Sequence, residues 1–123
     1  MSTRQSFLRS RLLSIRFAVD GVRALVATQP NARIHLVATV LVVGAGLVLD
    51  VGRSDWIALT LAMALVWLAE ALNTAVECLG DAITRELHPL IGRAKDVAAG
   101  GVLLAALGAA AIGCLVFAPH LFD

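Results

Sequence analysis

Val97-Ala-Ala-Gly-Gly-Val-Leu-Leu-Ala-Ala-Leu-Gly-Ala-Ala-Ala-Ile-Gly-Cys-Leu-Val-Phe-Ala118 is a run of 22 residues without a charge. About 20 predominantly apolar residues in a helix cross the hydrocarbon core of a bilayer. This stretch therefore predicts a transmembrane span over about 96–118. A second run, Ile34 to Leu49, is polar only at His35 and Thr39 and ends in the turn-like Asp50-Val51-Gly52-Arg53, giving a span over about 33–50. A third follows Ser54-Asp55, which reads as an N-cap. Its apolar part, Trp56 to Ala69, is only 14 residues long, but no breaker occurs before Gly80. The same helix is therefore expected to continue past Glu70 and Glu77, over about 55–80.

Composition agrees with three spans. Apolar residues make up 59% of the 123, against roughly 45–50% in a soluble domain, and charged residues 15% against about 25%. A soluble chain this small needs more polar residues to cover its surface. The net charge of +1 excludes a polybasic nucleic-acid binder, so no nucleic-acid partner is expected. Cys78 and Cys114 lie far apart in apolar surroundings and read as small core residues. One domain over 1–123 is expected.

The N-terminus is basic, then apolar, but lacks the compact apolar core and small-residue cleavage site of a secretory signal. Arg9, Arg16, Asp20 and Arg23 share one helical face, and Leu8, Leu12, Ile15, Val19 and Val22 lie mostly elsewhere. An amphipathic helix on the membrane surface, over about 5–28, fits this pattern. Six arginines precede the first span, and Arg85, Arg93 and Lys95 lie between the second and third. The positive-inside bias then puts the N-terminus and the second loop in the cytoplasm and the C-terminus outside. Pro89 and Gly92 are expected to break the helix there, leaving a cytoplasmic loop. Gly101, Ala105, Ala109 and Gly113 recur every four residues along the last span, a spacing that favours helix association and hence an oligomer.

The chemistry concentrates in Glu70-Ala-Leu-Asn73-Thr74-Ala-Val-Glu77 and Asp81. On a helix these five polar residues share an arc of about 100°. Carboxylates at membrane depth are expensive, about 2.5–3.5 kcal/mol each on translocon scales, and mark function by default. Glu70 and Glu77 are about 10 Å apart along the axis, which favours different roles. The second cluster is Glu86-Leu-His88-Pro-Leu-Ile-Gly92-Arg-Ala-Lys95-Asp96, containing the chain's only lysine. A compact ammonium there suits a phosphate, or equally a snorkelling helix end. His35 and His88 have no partners at metal-ligand spacing and read as ordinary polar contacts. Carboxylates, a lysine and a basic surface helix are the parts of a phosphoryl-transfer site. Intramembrane carboxylates equally suit a small oligomeric proton or ion transporter built on Glu70 and Glu77.

These residues resemble the small prokaryotic diacylglycerol kinases, a family that includes the undecaprenol kinases. The similarity is densest over Glu70 to Glu77, Asp81, His88 and Gly92-Arg-Ala-Lys95-Asp96, and Pro30-Asn-Ala-Arg33-Ile-His-Leu36 and Phe17-Ala-Val-Asp-Gly21 extend it. The resemblance implies an all-α membrane protein, a homotrimer of three-span subunits with a surface helix and shared active sites. It implies a multi-pass protein of the bacterial inner membrane with its site facing the cytoplasm. The implied reaction moves the γ-phosphate of Mg-ATP to the hydroxyl of a membrane lipid, either diacylglycerol or undecaprenol. Carried over by position, Glu70 is the general base and Asn73 orders the site. Glu77 binds Mg²⁺, and Lys95 and Asp96 engage the ATP phosphates. His88 and Gly92 lie on the nucleotide side, Phe17 covers the adenine, and Arg11 and Arg16 reach phosphates or headgroups. Arg33 and Ala99 fall beside the lipid. Gln29 stands where the family commonly has a metal-binding glutamate, which implies weaker metal affinity.

Overall fold

The computed structural model describes residues 2–122, and the described chain is built from four helices. They are α1 (Thr3–Thr28), α2 (Pro30–Val48), α3 (Arg53–Ile83) and α4 (Pro89–Phe122). The last three are each long and apolar enough to cross a membrane. At 1.5 Å per residue, α3 and α4 run about 46 and 51 Å, well beyond the roughly 30 Å hydrocarbon thickness. Their ends therefore have length to spare for polar chemistry.

Local sequence sets each boundary. Ser2 and Gln5 close a reciprocal capping box at the start of α1. Gln29 precedes a proline and is extended (φ −108°, ψ 115°), which separates α1 from α2. Pro30 then opens α2, where its missing N–H costs nothing. Arg33 reaches back from α2 to donate to the carbonyls of Val26 (3.0 Å) and Ala27, capping α1 with a cation. Helix α2 ends in a Schellman turn: Val51 N–H bonds Gly46 O at 3.1 Å and Asp50 N–H bonds Leu47 O at 3.4 Å. Asp50 takes the left-handed position at φ 51°, one of the few non-glycine residues that tolerate it.

Two boundary expectations are corrected. Gly52, not Ser54-Asp55, is the N-cap of α3, because the Schellman turn returns the chain to helix one residue after the buried Val51. Asp55 instead lies in the first turn, where its charge suits the helix dipole. Pro89 and Gly92 do not break the helix into a loop: Pro89 starts α4, which runs through Gly92 and Lys95. His88 supplies the reason: its Nδ1 accepts the N–H groups of Leu90 (3.2 Å) and Ile91 (3.5 Å). A side-chain cap followed by a proline at the first helical position is a helix start.

Helices α3 and α4 pack along each other most closely, and α2 leans on α3. A small apolar core of Val51, Leu59 and Val116, flanked by Trp56, Met63 and Phe117, sits at the α2–α3 turn end. Most large apolar residues face outward, among them Leu65, Leu72, Leu104 and Leu115. Cys78 and Cys114 are exposed too, which corrects their reading as core residues. In three helices flanked by lipid most apolar positions point outward, since acyl chains solvate them as well as a core does. Gly101 and Gly113 likewise have open space at the Cβ position. The close approaches within the chain are elsewhere. A Cβ on Gly46 would lie 2.6 Å from the Trp56 ring, and one on Gly80 would lie 2.8 Å from Lys95 Cε and 3.0 Å from Ile91 Cγ2.

Candidate active site

The polar stripe of α3 divides into a buried upper cluster and a half-exposed lower one. Glu70 is the one charged side chain buried among the described residues, at 1% exposure. Opposite it, on α2, His35 Nε2 lies 3.7 Å from Glu70 Oε2. That is too long for a good hydrogen bond, and neither atom has another partner. One turn further along α3, Asn73 Oδ1 and Thr74 Oγ1 are also buried without a partner. Unsatisfied buried polar groups are rare and costly, about 1–3 kcal/mol each, so four together need an explanation beyond packing.

The backbone of α2 is held in place at this level. Trp67 Nε1 donates to Thr39 Oγ1 at 3.0 Å, and the Thr39 hydroxyl donates to the His35 carbonyl at 2.7 Å. The His35 and Trp67 rings meet edge to face with centroids 6.4 Å apart. His35 also borders two clefts. One of about 320 Å³ runs down between α2, α3 and α4, lined by Val42, Met63, Val66, Ala109 and Phe117 among others. The other, about 280 Å³, lies between α2 and α4 and is bordered by Asn31, Ala99 and Val102.

The lower cluster is ionic. Lys95 on α4 places Nζ 2.7 Å from Asp81 Oδ1 and 3.3 Å from Glu77 Oε2. Gly80 permits this, since its bare Cα leaves the groove through which the lysine stem passes. Glu77 remains 45% exposed on its side chain, so its oxygens are open to a further partner.

The structure thus brings Glu70 against His35, with Asn73 and Thr74 one turn along on the same helix, and brings Glu77 and Asp81 to Lys95. The remaining candidates lie apart in various ways. Asp96 and Gly92 are exposed on the first turns of α4, and His88 caps them. Ala99 borders the smaller cleft. Arg33 is engaged at the end of α1, and Gln29 donates through Nε2 to Thr28 Oγ1 at 3.2 Å. On α1, Phe17 is 69% exposed, and Arg11 stacks on Phe7 at 5.3 Å from its centroid. Among the described residues no three His, Cys, Asp or Glu side chains converge as a metal site. His35, expected to make an ordinary polar contact, stands instead against the buried Glu70. The signal that could have found it was a histidine in an otherwise apolar span, alongside a second helix bearing a glutamate.

Comparison with known proteins is consistent over nearly the whole chain. The family model for prokaryotic diacylglycerol kinase matches residues 16–117. A diacylglycerol kinase of Synechocystis is 42% identical over 112 residues, covering 89% of this chain and 64% of its own length. The chain thus spans just under two thirds of that relative. An undecaprenol kinase of Bacillus subtilis is 35% identical, covering 82% of each chain. A diacylglycerol kinase of Escherichia coli is also 35% identical, covering 85% of each.

Proposed function

This chain belongs to the prokaryotic diacylglycerol kinase family of lipid kinases, and from that premise we propose that it transfers the γ-phosphate of Mg-ATP to the hydroxyl of diacylglycerol or undecaprenol. The observation that carries this reading is Glu70: a carboxylate 1% exposed, with an unpartnered oxygen, on a helix apolar enough to span a bilayer. A buried base beside apolar clefts suits a lipid alcohol better than a soluble one.

In this reading Glu70 accepts the hydroxyl proton and Asn73, one turn below, orders the acceptor. The lipid oxygen bonds to the γ-phosphorus as the bond to the ADP oxygen breaks. Lys95 sits ready for the phosphates, exchanging a carboxylate partner for a phosphate oxygen, and Asp96 orients them from the same turn. His88 and Gly92 border the nucleotide, Phe17 covers the adenine and Arg11 meets phosphate. Arg33 and Ala99 flank the lipid.

The donor set fits magnesium. Mg²⁺ prefers hard oxygen ligands and is usually held by one or two carboxylates together with phosphates and water. Glu77 offers an open carboxylate of that kind, and the Gln29 amide oxygen is a neutral second donor. When bound, the ion neutralises charge on the phosphate oxygens. We further read α1 as lying on the cytoplasmic face of the inner membrane and the working unit as a homotrimer with sites shared between subunits. The outward apolar faces of α3 and α4 support both lipid and subunit contacts.

A radiolabelled-ATP assay of the detergent-purified chain with diacylglycerol and undecaprenol side by side tests the reading. One phospholipid product is expected. Label in neither lipid would overturn it.

A further inference from the structure

The upper cluster contains one group that the proposed roles leave unused. His35 faces Glu70 with a gap that neither side chain closes: Nε2 and Oε2 are 3.7 Å apart, both buried and both without a hydrogen-bond partner. A single oxygen about 2.8 Å from each atom would span that separation with ordinary hydrogen-bond lengths. Since neither atom is open to solvent, the two side chains must part slightly to admit it. An ionised carboxylate can only accept, whereas a neutral imidazole nitrogen can donate. With the proton on His35 Nε2 and Glu70 as carboxylate, a group between them accepts on one side and donates on the other. A hydroxyl does both.

Access points the same way. Glu70 is almost fully buried, and of the four side chains with orphaned atoms His35 alone borders both the larger and the smaller cleft. A hydroxyl arriving along either apolar cleft meets the imidazole on its way to the carboxylate. The Trp67–Thr39–His35 hydrogen-bond chain holds the α2 backbone at the level where this meeting occurs. Such bracing is what a site needs in order to keep a donor within about half an ångström of its working position.

We propose that the acceptor hydroxyl of the lipid is held between His35 Nε2 and Glu70 Oε2, which makes His35 a second hydroxyl-binding group of the site. The inference rests on the kinase reading above and deepens it. In the transfer step the O–H bond breaks and its proton passes to Glu70. An oxygen lone pair forms the bond to the γ-phosphorus, and the electron pair of the breaking P–O bond leaves with ADP. His35 keeps its proton throughout and holds the oxygen in line. The same pair of atoms would hold a water when no lipid is bound.

The test compares the wild-type chain in detergent with His35→Gln, which retains a donor of similar reach, His35→Asn, whose donor is too short, and His35→Leu. For each, kcat and KM are measured for the lipid that the wild type phosphorylates and for ATP. Inhibition by the same lipid lacking its hydroxyl is measured alongside. His35→Leu and His35→Asn should raise the lipid KM by roughly tenfold, the loss of one hydrogen bond to a buried group. They should leave the ATP KM within about twofold and bind the hydroxyl-free lipid as the wild type does. His35→Gln should restore most of the lipid affinity, and it keeps the comparison interpretable if the leucine variant fails to fold. A wild-type lipid KM in both the Asn and Leu variants would overturn the role of His35 while leaving the kinase reading intact. A change in lipid-independent ATP hydrolysis alone would identify the bound group as water only, and would also overturn it. Absence of lipid phosphorylation by the wild type would instead remove the kinase reading itself.

Discussion

Lys95 Nζ lies 2.7 Å from Asp81 Oδ1, so the chain's only lysine is tied across the α3–α4 interface rather than to its neighbour Asp96. Adjacent residues on a helix point about 100° apart, so Lys95 turns toward α3 while Asp96 stays exposed beside it. The pairing depends on Gly80, because any larger side chain would occupy the space of the lysine Cε.

Gly80→Ala is therefore expected to separate stability from nucleotide use. Alanine gains about 1 kcal/mol of helix propensity over glycine. Overpacking costs about 1–3 kcal/mol, but the closest atom, Lys95 Cε at 2.8 Å, belongs to a flexible stem that can yield. The melting temperature should change by only a few degrees, about the shift that 1 kcal/mol produces in a domain of this size. With Lys95 displaced, the ATP KM should rise several-fold while the lipid KM holds. An unchanged ATP KM would show that the position of Lys95 does not matter.

Glu70→Gln should cost about 10²–10⁴ in kcat, the usual contribution of a positioned general base. Glutamine is nearly isosteric and removes a buried carboxylate that lacks a close partner, so resistance to unfolding should not fall. Turnover near the wild-type level would assign the base elsewhere.

Gln29→Glu probes the departure at the α1–α2 corner. The amide now donates to Thr28 Oγ1, and a carboxylate would lose that bond while adding a charge. If Gln29 helps hold the ion, half-maximal activity should require several-fold less Mg²⁺ in the glutamate variant. A superimposable Mg²⁺ titration would remove residue 29 from the metal site.

How far the sequence could be read depended on whether its signal was local. The three spans were legible because a bilayer demands an uninterrupted apolar run, a constraint visible in one stretch of chain such as Val97–Ala118. The stripe from Glu70 to Asp81 was legible for the same reason, since helical period alone collects it on one face. Pro89 was misread because a proline both ends and starts helices, and the deciding feature was the His88 side chain folding onto Leu90 and Ile91 N–H. The cysteines were misread because apolar surroundings in sequence do not distinguish a core from a lipid-facing surface. The pairing of His35 with Glu70, and of Lys95 with Asp81, required knowing how α2 and α4 lie against α3. No period within one helix carries that information.

Gly46 offers a test of that packing away from the chemistry. A Cβ there would sit 2.6 Å from Trp56 Cη2 and 2.9 Å from Cζ2, and a ring cannot yield as a lysine stem does. Gly46 also lies in the last turn of α2, and its carbonyl receives the N–H of Val51 in the Schellman turn. Any shift of α2 away from the ring therefore strains the turn as well. Gly46→Ala should destabilise the chain by about 1–3 kcal/mol, the usual cost of overpacking, read as a lower unfolding midpoint in mixed micelles. Trimming the ring should relieve the clash, so Gly46→Ala with Trp56→Leu should recover part of the loss relative to the sum of the single changes. The polar clusters lie beyond Val66 on α3, several turns away, so kinase activity below the unfolding transition should be retained in both variants. Simple additivity of the two losses would show that Gly46 and Trp56 are not in contact.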